Sequence, residues 1–199
     1  ENSIYIDNTC VIGENVTINP NNVITKNTVI GDNCILESNN YIENCILKNN
    51  NRISNRYLKD SLIGKDNIIG PYARLIRAQL LNKILVGNFV EISDSLIKDN
   101  VKIKNLSNIN FAEIGENSRI GYGVIFCNDN EKEDLKIIIG QNCFIGSNCN
   151  IISPILVGDN TFIASGCTIY KNIDSNKFVV SNGGLNIKEN YKKTYLKLK

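Results

Sequence analysis

The stretch IGQNCFIGSNCNIISPILVGDNTFIASGCTI, residues 139–169, decides the fold of this chain. An aliphatic residue recurs in it at every sixth position, from Ile139 to Ile169. A period of six is neither the 3.6 of a helix nor the 2 of a single strand. It is typical of hexapeptide repeats, which stack short strands into a parallel β-helix with three hexads in each triangular coil.

The same period covers most of the sequence. It runs unbroken from Ile6 to Ile42 and continues through the middle of the chain with slips of one residue. Over residues 1–173 it predicts an all-β fold, a left-handed parallel β-helix of about ten coils. Residues 128–136 are too polar for a coil, so we predict that they loop out. Residues 174–199 lose the period, and we predict a short basic C-terminal tail there.

The other hexad positions agree with this fold. Gly and Asn follow the aliphatic residue in segments such as residues 30–33, and both tolerate the left-handed backbone of tight corners. The fifth position must be small because it faces inward. Five cysteines occupy it: Cys10, Cys34, Cys143, Cys149 and Cys167. We interpret their thiols as small core hydrophobes rather than as disulfides or metal ligands, and we expect a reducing cytoplasm.

Composition narrows the possible functions. The net charge is +2 with interspersed signs, which argues against an obligate nucleic-acid partner. No apolar run approaches the roughly 20 residues of a membrane span, so we expect no membrane partner. The chain has no histidine, which excludes the carbonic anhydrases of this fold, because their metal site needs three histidines. It also has no methionine, and we therefore expect a fragment or a chain processed at its start.

Several further segments resemble one enzyme family. They are NIIGPYARL (67–75), VGNFVEI (86–92), NLSNINFAEIG (105–115) and IGYGVIFCN (120–128). In order and spacing they look like the C-terminal half of the bifunctional N-acetylglucosamine-1-phosphate uridyltransferase/glucosamine-1-phosphate acetyltransferase. The resemblance implies a homotrimer of left-handed β-helices and acetyl-coenzyme A bound between subunits. It also implies a nucleotidyltransferase domain upstream of residue 1. From the cysteine positions and the missing histidines we expect no metal in this domain.

The resemblance indicates that most of the family's catalytic residues are replaced in this chain. The histidine that serves the family as general base corresponds to Asn105, whose amide cannot accept a proton from an amine. Asn128 is retained from the family's Cys-Asn pair. Asp129 stands in place of a family tyrosine, and it is one of two nearby carboxylates that remain as candidate bases. The other, Glu113, matches a non-catalytic corner residue of the family.

The substrate-binding positions are replaced as well. A lysine after the NFVE motif corresponds to Ser93, and the lysine of the excluded loop corresponds to Asp134. A family tyrosine becomes Asn108, and an asparagine before the IGxG motif becomes Arg119. The arginine after the ARL motif falls at Ile76 or Arg77, of which we favour Arg77. Arg119 is also compatible with a solvated or salt-bridged corner residue.

The donor side is better preserved. By resemblance, the residues that bind acetyl-coenzyme A correspond to Tyr122, Ser147, Ser165 and Asn182, of which Ser147 is retained. Tyr122 replaces a small residue and is expected to obstruct the donor. Asn182 replaces an arginine of the terminal segment.

Three functions remain open from these residues. The first is an acetyltransferase-like domain of the type that moves acetyl from coenzyme A to glucosamine 1-phosphate, with a degenerate site and weak or altered activity. The second is an inactive trimerisation module for an upstream sugar nucleotidyltransferase. The third is a module that senses a nucleotide sugar or coenzyme A. The replaced positions 93, 105, 108 and 134 discriminate among them.

Overall fold

The computed structural model describes residues 3–128, 136–181 and 185–189. Within these residues the chain consists of β-strands and contains no helix, so no helix there could cross a membrane. The strands stack into three sheets that form the sides of a triangular prism of about ten coils, a left-handed parallel β-helix. The predicted fold is confirmed.

Each of the first nine coils contributes one strand to each sheet. Sheet A contains β1 (Tyr5–Ile6), β4 (Val23–Thr25), β7 (Tyr41–Glu43), β10 (Tyr57–Lys59), β13 (Arg74–Ile76), β16 (Glu91–Ser93), β19 (Asn108–Asn110), β22 (Ile125–Cys127), β25 (Asn150–Ile152) and β28 (Thr168–Ile169). Sheet B contains β2 (Val11–Ile12), β5 (Val29–Ile30), β8 (Ile46–Leu47), β11 (Leu62–Ile63), β14 (Gln79–Leu80), β17 (Leu96–Ile97), β20 (Ala112–Ile114), β23 (Ile137–Ile139) and β26 (Ile155–Val157). Sheet C contains β3 (Thr17–Ile18), β6 (Ile35–Leu36), β9 (Arg52–Ile53), β12 (Ile68–Ile69), β15 (Leu85–Val86), β18 (Lys102–Ile103), β21 (Arg119–Ile120), β24 (Phe144–Ile145), β27 (Phe162–Ile163), β29 (Lys177–Ser181) and β30 (Leu185–Glu189).

The register of the strands explains the slips in the six-residue period. Tyr5 pairs with Val23, which lies three full hexads further along the chain. Tyr41 pairs with Tyr57, and this spacing is two residues shorter than three hexads. One residue is lost at the turn from sheet A to sheet B and one at the turn from sheet C to sheet A. The shortened turns change the corners but keep the inward side chains in register.

The interior is filled by the aliphatic ladder that the period predicts. Ile30, Ile145 and Ile163 are fully buried, and Ile12 is half-buried in the first coil, where it packs against the core. Each fully buried side chain of this kind contributes roughly 1.5–3 kcal/mol of burial free energy.

The cysteines lie where the hexad pattern places them. Four of the five predicted core thiols are buried and Cys10 is half-buried. No disulfide is present in the described part of the chain, which includes all seven cysteines. Burial raises the pKa of Cys143 and of Cys149 to about 11. A thiol with so high a pKa is a poor nucleophile and a poor metal ligand, which supports the packing role.

Strand stacking continues beyond residue 173. Phe178 in β29 pairs in parallel with Phe162 in β27, and Val179 is fully buried. β30 then turns back antiparallel to β29. The first part of the predicted tail is therefore stacked on sheet C, because a strand with an inward Val and a stackable Phe can continue the ladder without a perfect hexad. Residues 129–135 of the predicted loop and residues 190–199 lie outside the described part of the chain.

Candidate functional site

Two corners of the prism carry the residues singled out from the sequence. We name the turn from sheet C to sheet A the CA corner and the turn from sheet A to sheet B the AB corner. The CA corner holds Asn105, Tyr122, Ser147 and Ser165 in successive coils. The structure therefore brings the position of the family base and three predicted donor-binding residues into one column.

Hydrogen bonds between coils fix this column. The Asn105 side-chain oxygen accepts the N–H of Asn88 at 3.0 Å. The Ser147 hydroxyl oxygen accepts the N–H of Tyr122 at 3.2 Å, and the Ser165 hydroxyl oxygen accepts the N–H of Ser147 at 3.1 Å. Asn105 thus provides the acceptor for a backbone N–H of the preceding coil. This is a structural role that needs no reactive group.

Large apolar residues project from the same corner. Tyr72, Phe89 and Leu106 have left-handed φ angles of 63°, 54° and 64°, and their exposed fractions are 56%, 56% and 63%. The rings of Tyr72 and Phe89 stack at 4.9 Å between centroids. In the next coil Gly123 takes the left-handed position, so the ridge ends beside Tyr122. This ridge of three residues was not predicted from the sequence, although bulky residues at a position that favours Gly or Asn were a signal for it.

Tyr122 lies in the open beside this ridge. Its side chain is exposed, and the Lys104 ammonium lies 5.9 Å from the centre of its ring. The ring therefore lies at the edge of the column at the CA corner, where we predicted that it obstructs binding of acetyl-coenzyme A.

The AB corner holds the predicted acceptor residue Arg77. Its guanidinium donates to both carboxylate oxygens of Asp94 in the next coil, from Nε at 2.6 Å and from Nη2 at 2.7 Å. Together with Phe111 and Lys136, this pair lines an open groove of about 460 Å³. The Ser93 hydroxyl beside it lies 2.8 Å from the Asn110 side-chain oxygen.

Glu113 next to the groove is held by two lysines. Lys98 Nζ lies 2.7 Å and Lys136 Nζ 3.1 Å from its carboxylate oxygens. The Lys98 and Lys136 hydrogen bonds together outweigh the opposing effect of partial burial and hold the pKa of Glu113 below its usual range. A carboxylate stabilised in this way is a weak base, which agrees with the non-catalytic role expected for this residue.

Of the remaining predicted residues, Asn128 lies at the AB corner, whereas Arg119 and Asn108 lie on the sheets. Arg119 is exposed on sheet C, in register with Phe144, and Asn108 lies half-buried on sheet A. Asn128 is buried at the end of the described segment before the loop. Three further predicted positions lie outside the described residues: Asp129, Asp134 and Asn182.

Within one chain the predicted site is therefore divided. Three of the predicted donor-side residues line the CA corner, and Arg77 and Asp94 lie at the opposite edge of sheet A. In the described part of the chain, no group of three or more His, Cys, Asp or Glu side chains is arranged to hold a metal ion.

Family models match both ends of the chain. The GMPPB C-terminal domain matches residues 1–83, and the bacterial transferase hexapeptide model of six repeats matches residues 136–171. A curated protein of Clostridioides difficile is 35% identical over 155 residues, which cover 77% of this chain and 34% of that protein. A curated protein of Clostridium kluyveri is 37% identical over 155 residues, which again cover 77% of this chain and 34% of that protein. Both are the bifunctional protein GlmU.

The chain is similar to GlmU. The resemblance inferred from the sequence motifs is thereby confirmed, and the chain spans about a third of the length of the GlmU proteins it matches. Among solved structures, a UDP-N-acetylglucosamine acyltransferase superposes with a TM-score of 0.67 at 18% identity, covering 100% of this chain and 76% of that one. At this identity the structural likeness supports the fold alone.

Proposed function

We propose that the chain is a GlmU-like acyltransferase domain that takes an acetyl or acyl group from coenzyme A and transfers it to an amino sugar. The observation that carries the proposal is the similarity to GlmU over 77% of the chain. Acceptor chemistry is altered, because the groups that would bind a sugar phosphate and accept its proton are replaced.

The reaction needs few groups from the protein. The amine nitrogen attacks the thioester carbon, the carbon–nitrogen bond forms, and the carbon–sulfur bond breaks. The proton lost by the amine ends on the sulfur of coenzyme A. Backbone N–H groups and hydroxyls such as that of Ser147 can bind the donor, whereas the proton has no histidine to receive it.

We further propose that the domain works as a homotrimer. The donor-side and acceptor-side residues lie at opposite edges of sheet A, so a site that joins them is completed by a second copy. A ring of three copies uses one pair of different surfaces and closes on itself. Light scattering at micromolar concentration is expected to give a mass of about three times 22.2 kDa, and a monomer mass would contradict the proposal.

Donor binding is tested by placing a negative charge in the column. Ser147→Asp is expected to weaken coenzyme A binding at least tenfold, since coenzyme A is polyanionic and a like charge nearby opposes it. The fold should survive, because Asp159 accepts a backbone N–H at the equivalent turn from sheet B to sheet C. Binding would be measured by calorimetry with coenzyme A alone.

The matched control is Ser175→Asp, which adds the same charge at a different corner of the prism. Its affinity for coenzyme A should equal that of the unmodified chain. If coenzyme A does not bind the unmodified chain, or if both variants lose binding equally, the CA corner is not a donor site.

The second candidate is a trimerisation module without transfer activity. It is favoured by the bond from the Asn88 N–H to the Asn105 side-chain oxygen, which gives the former base position a structural task. Coenzyme A binding without turnover on any amino sugar would favour a sensing module, and the absence of both would favour the structural module.

A further inference from the structure

Three bulky side chains at the CA corner carry a further inference about how copies of the chain meet. In other coils the left-handed position of this corner is an asparagine: Asn21, Asn39, Asn55 and Asn148. In three successive coils it is Tyr72, Phe89 and Leu106, and each of these side chains is more than half exposed. Bulky residues are strained in this backbone conformation, and a continuous row of exposed apolar side chains indicates a contact outside the chain.

We infer that this ridge lies on the threefold axis of the homotrimer, so that sheet A of one copy faces sheet C of the next. The inference rests on the homotrimer of the proposed function and names the surfaces that form it. The ridge follows one corner through successive coils, so three ridges meet along a line only if the axis is parallel to the prism. Rotation about such an axis keeps the height of every residue, so each coil faces the same coil of the neighbouring copy.

The charges on sheet C support this arrangement. Lys102 and Arg119 are exposed and lie side by side on adjacent strands, where like charges oppose each other. Within the described part of the chain neither of them is in an ion pair. Sheet A carries Glu91 in the same coil as Lys102, and 40% of the Glu91 side chain stays exposed although it also pairs with Arg74. In the inferred trimer, Glu91 of one copy therefore faces Lys102 of the next.

Apolar side chains match at other heights of the two sheets. Tyr57 on sheet A and Ile68 on sheet C belong to one coil below the charged pair, and both are exposed. Ile125 on sheet A and Phe144 on sheet C belong to one coil above it, and both are exposed as well. Apolar residues thus face apolar residues on both sides of an opposite-charge pair, which is the complementarity expected of two surfaces that bind each other.

The same arrangement joins predicted acceptor residues that a single chain keeps apart. Asn108 points outward from sheet A, because Ile109 is the buried residue of its strand, and Arg119 is exposed on sheet C of the same coil. The CA corner separates these two faces within one chain. Between two copies, Arg119 of one faces Asn108 of the other across a cleft bordered by the column at the CA corner. The second copy therefore supplies sheet C to the candidate site.

Light scattering of Phe89→Asn/Leu106→Asn tests the ridge. Asparagine occupies the same left-handed position in other coils, so the variant should keep the fold and its β-sheet circular dichroism. At micromolar concentration its mass should fall from about three times 22.2 kDa to 22.2 kDa. The matched control is Phe111→Asn, which removes an aromatic ring from the left-handed position of the AB corner and should leave the chain trimeric.

Charge reversal tests which sheets face each other. Lys102→Glu places a carboxylate opposite Glu91 and should raise the dissociation constant of the trimer by about tenfold or more. Arg74→Glu/Glu91→Lys/Lys102→Glu keeps the pairs with their signs exchanged and should return the constant to within about threefold of the unmodified chain. The control Lys65→Glu makes the same change at the turn from sheet B to sheet C and should leave the constant unchanged.

Three results overturn the inference: a folded ridge variant that stays trimeric, a Phe111→Asn control that dissociates as well, or a sign-exchanged variant that associates no better than Lys102→Glu. If the ridge variant loses its circular dichroism, the charge exchange decides. A monomeric unmodified chain contradicts the homotrimer itself. Because no coenzyme A is present, these results are separate from a failure of donor binding.

Discussion

Acetyl transfer to glucosamine 1-phosphate is expected to be very slow or undetectable. Loss of a positioned base lowers a rate by about 10²–10⁴-fold, and an ordinary enzyme turns over at about 10 s⁻¹. Asn105 cannot accept the proton, and Glu113 is held by two lysines. Acceptor binding is weakened in addition, because Asp94 competes for Arg77. A thiol-release assay with acetyl-coenzyme A measures the rate directly.

Restoring the histidine alone is expected to fail. Asn105→His supplies a base, but the phosphate of the acceptor still meets Asp94 and the short side chain of Ser93. The combined variant Ser93→Lys/Asp94→Asn/Asn105→His restores both functions and should exceed Asn105→His by at least tenfold in kcat/KM. Turnover of the unmodified chain within tenfold of about 10 s⁻¹ would refute the prediction and would mean that Asp129 or another group acts as the base.

Replacing Arg56 with asparagine is expected to stabilise the fold. Arg56 takes an inward position at the CA corner and is only 3% exposed. Its guanidinium nitrogens have no hydrogen-bond partner in the described part of the chain, and desolvation lowers the pKa of Arg56 to about 9. A buried charge without a partner costs several kcal/mol, so Arg56→Asn should raise the free energy of unfolding by about 2–4 kcal/mol at pH 7.

The two coils below Arg56 explain the choice of asparagine. The Asn22 side-chain oxygen accepts both the N–H and the side-chain amide of Asn40, one coil higher, at 3.1 and 2.7 Å. The Asn40 side-chain oxygen has no hydrogen-bond partner in the described residues, and Arg56, which takes the next position of this ladder, donates to none there. An asparagine at position 56 offers the amide donor that would continue this ladder.

Thermal unfolding checks this prediction against a matched substitution. Arg52→Asn removes an exposed arginine that pairs with Glu37, and such surface pairs are worth roughly 0–1 kcal/mol. Arg56→Asn should raise the melting temperature by about 5–10 °C while Arg52→Asn changes it little. A lower melting temperature for Arg56→Asn would mean that the guanidinium is satisfied and supports the coil.

The destabilisation by Arg56 is also expected to depend on pH. Arg56 has a lower pKa in the folded chain than in the unfolded chain, so its cost is fully present at neutral pH and is relieved only as the pH rises above about 9. The stability difference between the unmodified chain and Arg56→Asn should therefore be constant between pH 6 and 8 and shrink at higher pH.

The sequence by itself determined the fold and the core. Its six-residue period can be recognised within short segments, and the pattern of each hexad indicates which residue points inward and where the backbone must turn. For that reason the inward positions of Ile30 and Ile163, the buried cysteines and the asparagine-rich corners could be predicted without any contact information. The resemblance then located Ser147 and Ser165, because corner residues keep their spacing from coil to coil.

Only the tertiary structure decided which groups the predicted site residues contact. Arg77 and Asp94 are 17 residues apart, and they meet only because a slipped register stacks one directly on the other. The same register joins the Asn88 N–H to the Asn105 side-chain oxygen, closes Lys136 onto Glu113, and leaves Arg56 buried at a shortened corner. In a β-helix the neighbours of a side chain lie one coil away, so their identity depends on each residue gained or lost at the corners between them.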